Sequence, residues 1–152
     1  MTLVTDAAGL DLARLLRPGD RIVIGQACGE PTTLVEALIA QGKDIGGLSA
    51  FIATSFSGLF TPGTAASFAL SSMGAIGALR GMTKAGKLAV IPAHVSQIGP
   101  MITAGIIGCD VAFIQVSLAD ENGNHSCGLI SDHVRAAVDR AGVVIAAENE
   151  QV

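Results

Sequence analysis

Tryptophan and tyrosine are absent, and only nine lysines and arginines are spread over 152 residues. The net charge is −4. Nucleic-acid surfaces are built from clustered cations and stacking aromatics, and neither is present, so no nucleic-acid partner is expected. Charged residues make up 14% of the chain, against about 25% in an ordinary soluble domain. The deficit is concentrated. Ile45–Leu79 contains no Asp, Glu, Lys or Arg, and in Leu88–Cys109 the only ionisable polar side chain besides the terminal thiol is His94. A domain of this size still needs a wetted surface, so part of this uncharged stretch is expected to meet another domain or subunit.

A spanning helix needs about 20 apolar residues. Leu59–Leu79 is long enough, but Pro62, Gly63, Gly74, Gly77 and several Ser and Thr interrupt it. No membrane partner is expected. The three cysteines, Cys28, Cys109 and Cys127, are odd in number and far apart. They form neither a disulfide framework nor a metal-ligand spacing. The first sixteen residues carry two aspartates before their first arginine, unlike a secretory leader. A cytoplasmic protein with reduced thiols is the expectation.

What is present reads as one domain over residues 1–152. Residues 9–16 suggest a short helix stopped by Pro18-Gly19, and 21–25 a strand. A helix is expected over 31–41 with Pro31 in its first turn. Strands are expected at 48–54, 88–91, 111–116 and 143–147. Residues 64–72 read as helix or strand, 75–85 as weakly helical and 96–107 as a helix. A helix over 131–141 would take Ser131 as its N-cap. Strands alternate with helices and several are apolar on both faces. That predicts an α/β fold: an open, mainly parallel sheet with helices on both faces. In such sheets ligands bind beyond the carboxyl ends of the strands, which singles out the loops at 25–31, 54–63, 92–97, 117–128 and 148–152.

The first of these, GQACGEP, places Gly25 and Gly29 in a turn ahead of a helix N-terminus. Such a loop suits a phosphate, a carboxylate or a thioester carbonyl, or is simply a strand-to-helix turn. It lacks the spacing of the dinucleotide fingerprint. Cys28 within it reads as a small buried thiol, or as a nucleophile if His94 or His125 approached it. His94 could bind substrate or cap the following helix. His125 and His133 are expected to face solvent. In SLADENGNHSCG (117–128), Asp120–Gly123 suggests a β-turn rather than calcium ligands, and no metal is expected.

Taken together, these segments resemble the N-terminal half of the acetyl-CoA hydrolase/transferase family, CoA-transferases of the 4-hydroxybutyrate and succinyl-CoA:acetate type. RPGDRIVIGQACGEPTTLVEAL looks like its first strand, loop and helix, and AGKLAVIPAHVSQIGPMI like its Pro-x-His-Leu-Ser segment, with Val95 replacing Leu. The most specific match is DVAFIQVSLADENGNHSCGLISDHV, through Asp110, Val111, Ala112, Val116, Ser117, Asp120, Gly123, Gly128, Ser131 and Asp132. VVIAAENEQV resembles the closing strand, with its Glu-x-Asn altered to Glu148-Asn149. The likeness is weakest over 55–75.

The resemblance implies a CoA-transferase-type fold and two similar α/β halves with the active site between them. Its glutamate nucleophile belongs to the C-terminal half, so this chain carries no catalytic residue and is expected to be inactive alone. It would supply a wall of the acyl pocket through Gly25, Gln26, Gly29, Pro31, Thr54, Ser55, His94 and Ser117. The implied substrates are a coenzyme A thioester and a small carboxylate such as acetate, with no permanently bound cofactor. The implied partner is a C-terminal half or subunit, in a homo- or hetero-oligomer. A non-catalytic acyl-CoA-binding or scaffold protein of the same fold is the alternative.

Overall fold

A computed structural model describes residues 9–152; the expectations for residues 1–8 lie outside them. Six strands form one sheet: β1 (Arg21–Ile24), β2 (Ser49–Phe51), β3 (Ala69–Ser72), β4 (Leu88–Val90), β5 (Val111–Val116) and β6 (Val143–Glu148). Their order is β4-β3-β2-β1-β5-β6, and every pairing is parallel. The expected open parallel α/β sheet is therefore the one observed.

Two apolar layers sandwich the sheet. Because side chains alternate along a strand, Ile22 and Ile24 of β1 point to one layer and Val23 to the other. The first layer packs against α1 (Thr32–Ile45), where Leu34, Val35 and Leu38 recur at helical spacing, and against Leu79 and Met82 around α2 (Arg80–Lys84). The second packs against Ile98 and Ile102 of α3 (Val95–Thr103) and Val134 and Ala137 of α4 (Val134–Arg140). β5 is buried at every position but Gln115. Burying a side chain such as its Phe113 stabilises by roughly 1.5–3 kcal/mol.

Local chemistry sets the ends of the elements. α1 stops at Gly46, whose φ of 84° suits a residue without a Cβ. At the opposite sheet edge from the loops of interest, Arg21 makes a two-pronged ion pair with Asp110 at 2.7 and 2.8 Å. It joins the starts of β1 and β5, and its guanidinium lies over Gly108.

The structure departs from the sequence reading in several places. Where a helix was expected over 9–16, Leu12–Arg14 form a 3₁₀ turn instead. Of the two readings of 64–72, the strand is formed, as β3, after a 3₁₀ turn at Thr64–Ala66. Pro31 occupies the N-cap position of α1 rather than its first turn. α4 starts at Val134 rather than directly after Ser131; Ser131–Val134 form a turn closed by Val134 N–H donating to Ser131 O at 2.7 Å, and the Asp132 side chain is held by Gln26. No helix among the described residues is long and apolar enough to cross a membrane.

Candidate functional site

The strand order reverses direction at one place. From β1 the chain proceeds through β2 and β3 to β4, then crosses to β5 on the other side of β1. The carboxyl ends of β1 and β5 therefore border the crevice where open α/β sheets take their ligands. The loop 25–31 leaves β1 there, and 117–133 leaves β5.

The β1 loop is tightly built. Gly25 N–H donates to Phe113 O at 2.9 Å, Ala27 N–H to Thr54 O at 2.9 Å and Gly29 N–H to Gln26 O at 2.8 Å. These donors are turned inward to hold the loop, so the expectation that its N–H groups face a ligand does not hold for them. A Cβ on Gly25 would lie 2.6 Å from Gly29 O, which only glycine tolerates. Ala27 sits at φ 51°, a left-handed conformation that strains a non-glycine residue and is retained where surroundings enforce it.

Two side chains clamp this loop to its neighbours. Glu30, 4% exposed, reaches the segment after β2. Its carboxylate accepts from Ser55 Oγ at 3.0 and 3.1 Å, Ser57 Oγ at 2.7 Å and Phe56 N–H at 3.1 Å. On the other flank the Gln26 side-chain amide donates to Asp132. Burial acts to raise the Asp132 pKa, but the adjacent His133, through its nearby ring and its backbone N–H, and the Gln26 amide outweigh it and bring it down to about 2.

His133 corrects the sequence reading. It is buried, with Nε2 3.3 Å from Ile24 O and its ring edge-on to Phe51. Nδ1 lies 2.8 Å from Asp132 Oδ1 but is poorly aligned for a hydrogen bond. Its spacing of four from buried Ala137 places both on one helical face, a signal present in the sequence. Cys28 is a second correction. It is exposed, because the 3₁₀ turn Ala27–Gly29 buries Gly29 and leaves the thiol outside.

Of the residues expected to line the pocket, Gly25, Gln26, Gly29, Pro31, Thr54 and Ser55 come together at the ends of β1 and β2. Most are buried, and Ser55 is fully so. Ser117 lies next door at the end of β5. Its hydroxyl accepts from Ser126 N–H at 3.0 Å, closing the 117–126 loop. Within that loop Asp120 takes the N–H groups of Asn122 and Asn124 at 2.9 and 2.8 Å around Gly123, at φ 78°. This is the expected turn. His125 Nδ1 meets Ser117 O at 2.9 Å and lies 3.6 Å from Glu148.

His94 is elsewhere. It follows the edge strand β4, three strand positions from β1, or roughly 14 Å at ordinary strand spacing. Its Nδ1 accepts from Ser96 N–H at 3.3 Å, while Gln97 Oε1 accepts from His94 N–H at 3.0 Å. Of its two readings, helix cap is the one the geometry adopts. It does not meet Cys28, so the pairing of that thiol with His94 is not formed. A concavity of about 510 Å³ lies along α3, away from the β1–β5 crevice; it is shallow and apolar, and neither the β1 loop nor the β5 loop lines it.

Charge completes the picture. The segments leading out of the strands (25–31, 52–68, 73–79, 91–94, 117–133 and 149–152) contain no Lys or Arg. The nine cations lie at strand starts, on helices or before β1.

Residues 7–152 match the family described as the acetyl-CoA hydrolase/transferase N-terminal domain. A curated relative, 4-hydroxybutyrate coenzyme A transferase of Clostridium kluyveri, is 28% identical over 134 residues, 87% of this chain and 31% of its own length. The crystal structure of RipA from Yersinia pestis superposes with a TM-score of 0.81 at 21% identity, covering 89% of this chain and 34% of that one. A 4-hydroxybutyrate CoA-transferase from Porphyromonas gingivalis does so with a TM-score of 0.67 at 22% identity, covering 92% and 32%. The two structures share the fold, and the chain spans about a third of the length of these relatives.

Proposed function

The chain belongs to the acetyl-CoA hydrolase/transferase family, and on that premise we propose that it forms the acyl-side wall of a CoA-transferase active site. The whole enzyme would move coenzyme A between an acyl-CoA and a small carboxylate such as acetate. The observation that carries this reading is the point where the strand order reverses, with a tightly held glycine loop after β1 and a second loop after β5, both free of Lys and Arg. The phosphates of coenzyme A call for cations or unoccupied N–H groups. Several of the N–H groups here are spent holding the loop, and Glu30 and Asp132 put negative charge behind it. Such a wall suits the uncharged acyl and thioester end of the substrate. The phosphates would be held by another part of the enzyme.

The chemistry follows the family's covalent route. A glutamate from the other half attacks the thioester carbonyl and expels coenzyme A thiolate, leaving an acyl anhydride. The thiolate then attacks the glutamyl carbonyl of that anhydride, releases the first carboxylate and leaves a glutamyl thioester. The incoming carboxylate repeats these two steps in reverse. Dividing one difficult exchange into easier covalent ones is the gain. Glu30 is not that nucleophile in this reading, since its carboxylate is buried and occupied by four donor groups.

The test is reconstitution. The purified chain, alone and mixed with the C-terminal portion of a family member, is given acetyl-, butyryl- and 4-hydroxybutyryl-CoA with labelled acetate. Label exchange only in the mixture is the expected result. Turnover by this chain alone would overturn the assignment of the nucleophile to another half. Acyl-CoA binding with no turnover in any mixture would favour a non-catalytic binding protein.

A further inference from the structure

The geometry points to Glu30 as a positioning residue that fixes the Ser55–Ser57 segment as part of the cleft wall, an inference that rests on the transferase reading. Glu30 sits on the β1 loop and its four donor groups lie 25 to 27 residues later, after β2. Among the described residues it has no ion-pair partner. Removing a carboxylate from water without a counter-ion is unfavourable. A pair of apolar side chains would hold two loops together at less expense. What a carboxylate adds is geometry: two oxygens accept several directed hydrogen bonds at once. Oε2 takes Ser55 Oγ, Phe56 N–H and, at 3.4 Å, Ser57 N–H, while Oε1 takes Ser57 Oγ and Ser55 Oγ.

These bonds pin the backbone at Phe56, in the segment after β2, while the residue stands 71% exposed. The β2 segment cannot shift along the β1 loop without breaking several of them together. The carboxylate itself is 4% exposed, so Glu30 acts through the segment it holds.

The role requires acceptor atoms, not charge. Glu30→Gln can turn its carbonyl oxygen toward the Phe56 and Ser57 N–H groups, and its NH₂ toward the Ser57 and Ser55 hydroxyls, which also accept. Glu30→Ala can do neither. Amide hydrogen exchange on the chain alone is the first measurement. In Glu30→Ala the Phe56 and Ser57 amides should exchange about tenfold faster or more, the factor for losing a hydrogen bond to a charged acceptor. β5 should be unchanged and Glu30→Gln should follow the wild type. If Glu30→Ala does not fold, Ser57→Ala, which removes one donor from an exposed site, should show the same change at Phe56 to a smaller extent. Unchanged exchange in the variants that fold would overturn the inference.

The second measurement uses the reconstituted enzyme. Glu30→Ala should raise KM for acyl-CoA about tenfold, with kcat within about twofold, and Glu30→Gln should restore KM. Loss of kcat in both variants alike would mean the charge itself is used, and would overturn the positioning role. The altered exchange together with no turnover by the wild type in any mixture would leave the clamp established. It would remove the transferase reading instead.

Discussion

Gln26, in the loop after β1, donates its side-chain amide to Asp132, in the turn before α4. The bond spans 106 residues and ties together the two segments that border the crevice. Burial acts to raise the Asp132 pKa, ordinarily 3.8, but the neighbouring His133 together with this bond holds it down at about 2. A carboxyl whose pKa is depressed by folding adds stability at pH values above its unfolded pKa, and the contribution is lost as pH falls toward the folded one. Stability should therefore fall between about pH 4 and pH 2. The Asp132→Asn variant should be less stable at neutral pH, by on the order of 1–2 kcal/mol after allowance for its partial exposure. Its loss over that pH range should be correspondingly shallower. Urea unfolding at several pH values checks both.

Gly25→Ala should destabilise the chain by about 1–3 kcal/mol, the usual range for overpacking. The added methyl would meet a backbone oxygen at 2.6 Å, which no rotamer change relieves. Gly29→Ala clashes with the Ile130 side chain, at 2.7 Å, and meets the Ile130 backbone oxygen only at an ordinary 3.5 Å, so it should be the milder of the two. Denaturant midpoints would rank them, and an equal or reversed order would contradict the loop geometry.

His94→Ala should cost about 1 kcal/mol, as for other lost helix caps, with no effect on acyl-CoA affinity. Thermal unfolding and calorimetric titration of the reconstituted enzyme read the two separately. A large loss of affinity would return His94 to the substrate pocket.

The thiols should separate by reactivity. Burial, aided by nearby Asp110, pushes Cys109 up to about 11, while Cys28 is exposed. The thiolate is the reactive form. A mild alkylating agent followed by mass spectrometry should modify Cys28 in the native chain and Cys109 only on unfolding.

Much of the fold could be read from the chain because its signals are local. β5 is a continuous apolar run, Val111–Val116, and its observed limits are the expected ones. The β1 loop declared itself by its glycines. What could not be read depends on partners distant in sequence. Nothing near Glu30 says that Ser55 and Ser57 will satisfy it. Ser131 looked like a helix cap, but a turn from Ser131 to Val134 intervenes and the helix begins later. His133 looked solvent-facing among polar neighbours, although its spacing from Ala137 marked it as inward. The residues expected to line the pocket lie mostly after β1, β2 and β5; His94 lies after β4, three strand positions from β1, and such a separation depends on strand order, which is not written in any one segment.

That strand order also has a bearing on how the chain acquires its shape. Ile22 is paired with Val111 and Phe113 caps the turn at Gly25, so the opening loop has no fixed form until the fifth strand has been made. On a ribosome, most of the chain must emerge before the first strand finds its central neighbour. Because distant pairings carry a loop-closure penalty before they return any stabilisation, folding should be slow and late. A nascent chain interrupted ahead of β5 should leave Ile22–Ile24 as a sticky, half-paired strand, suited to capture by a chaperone.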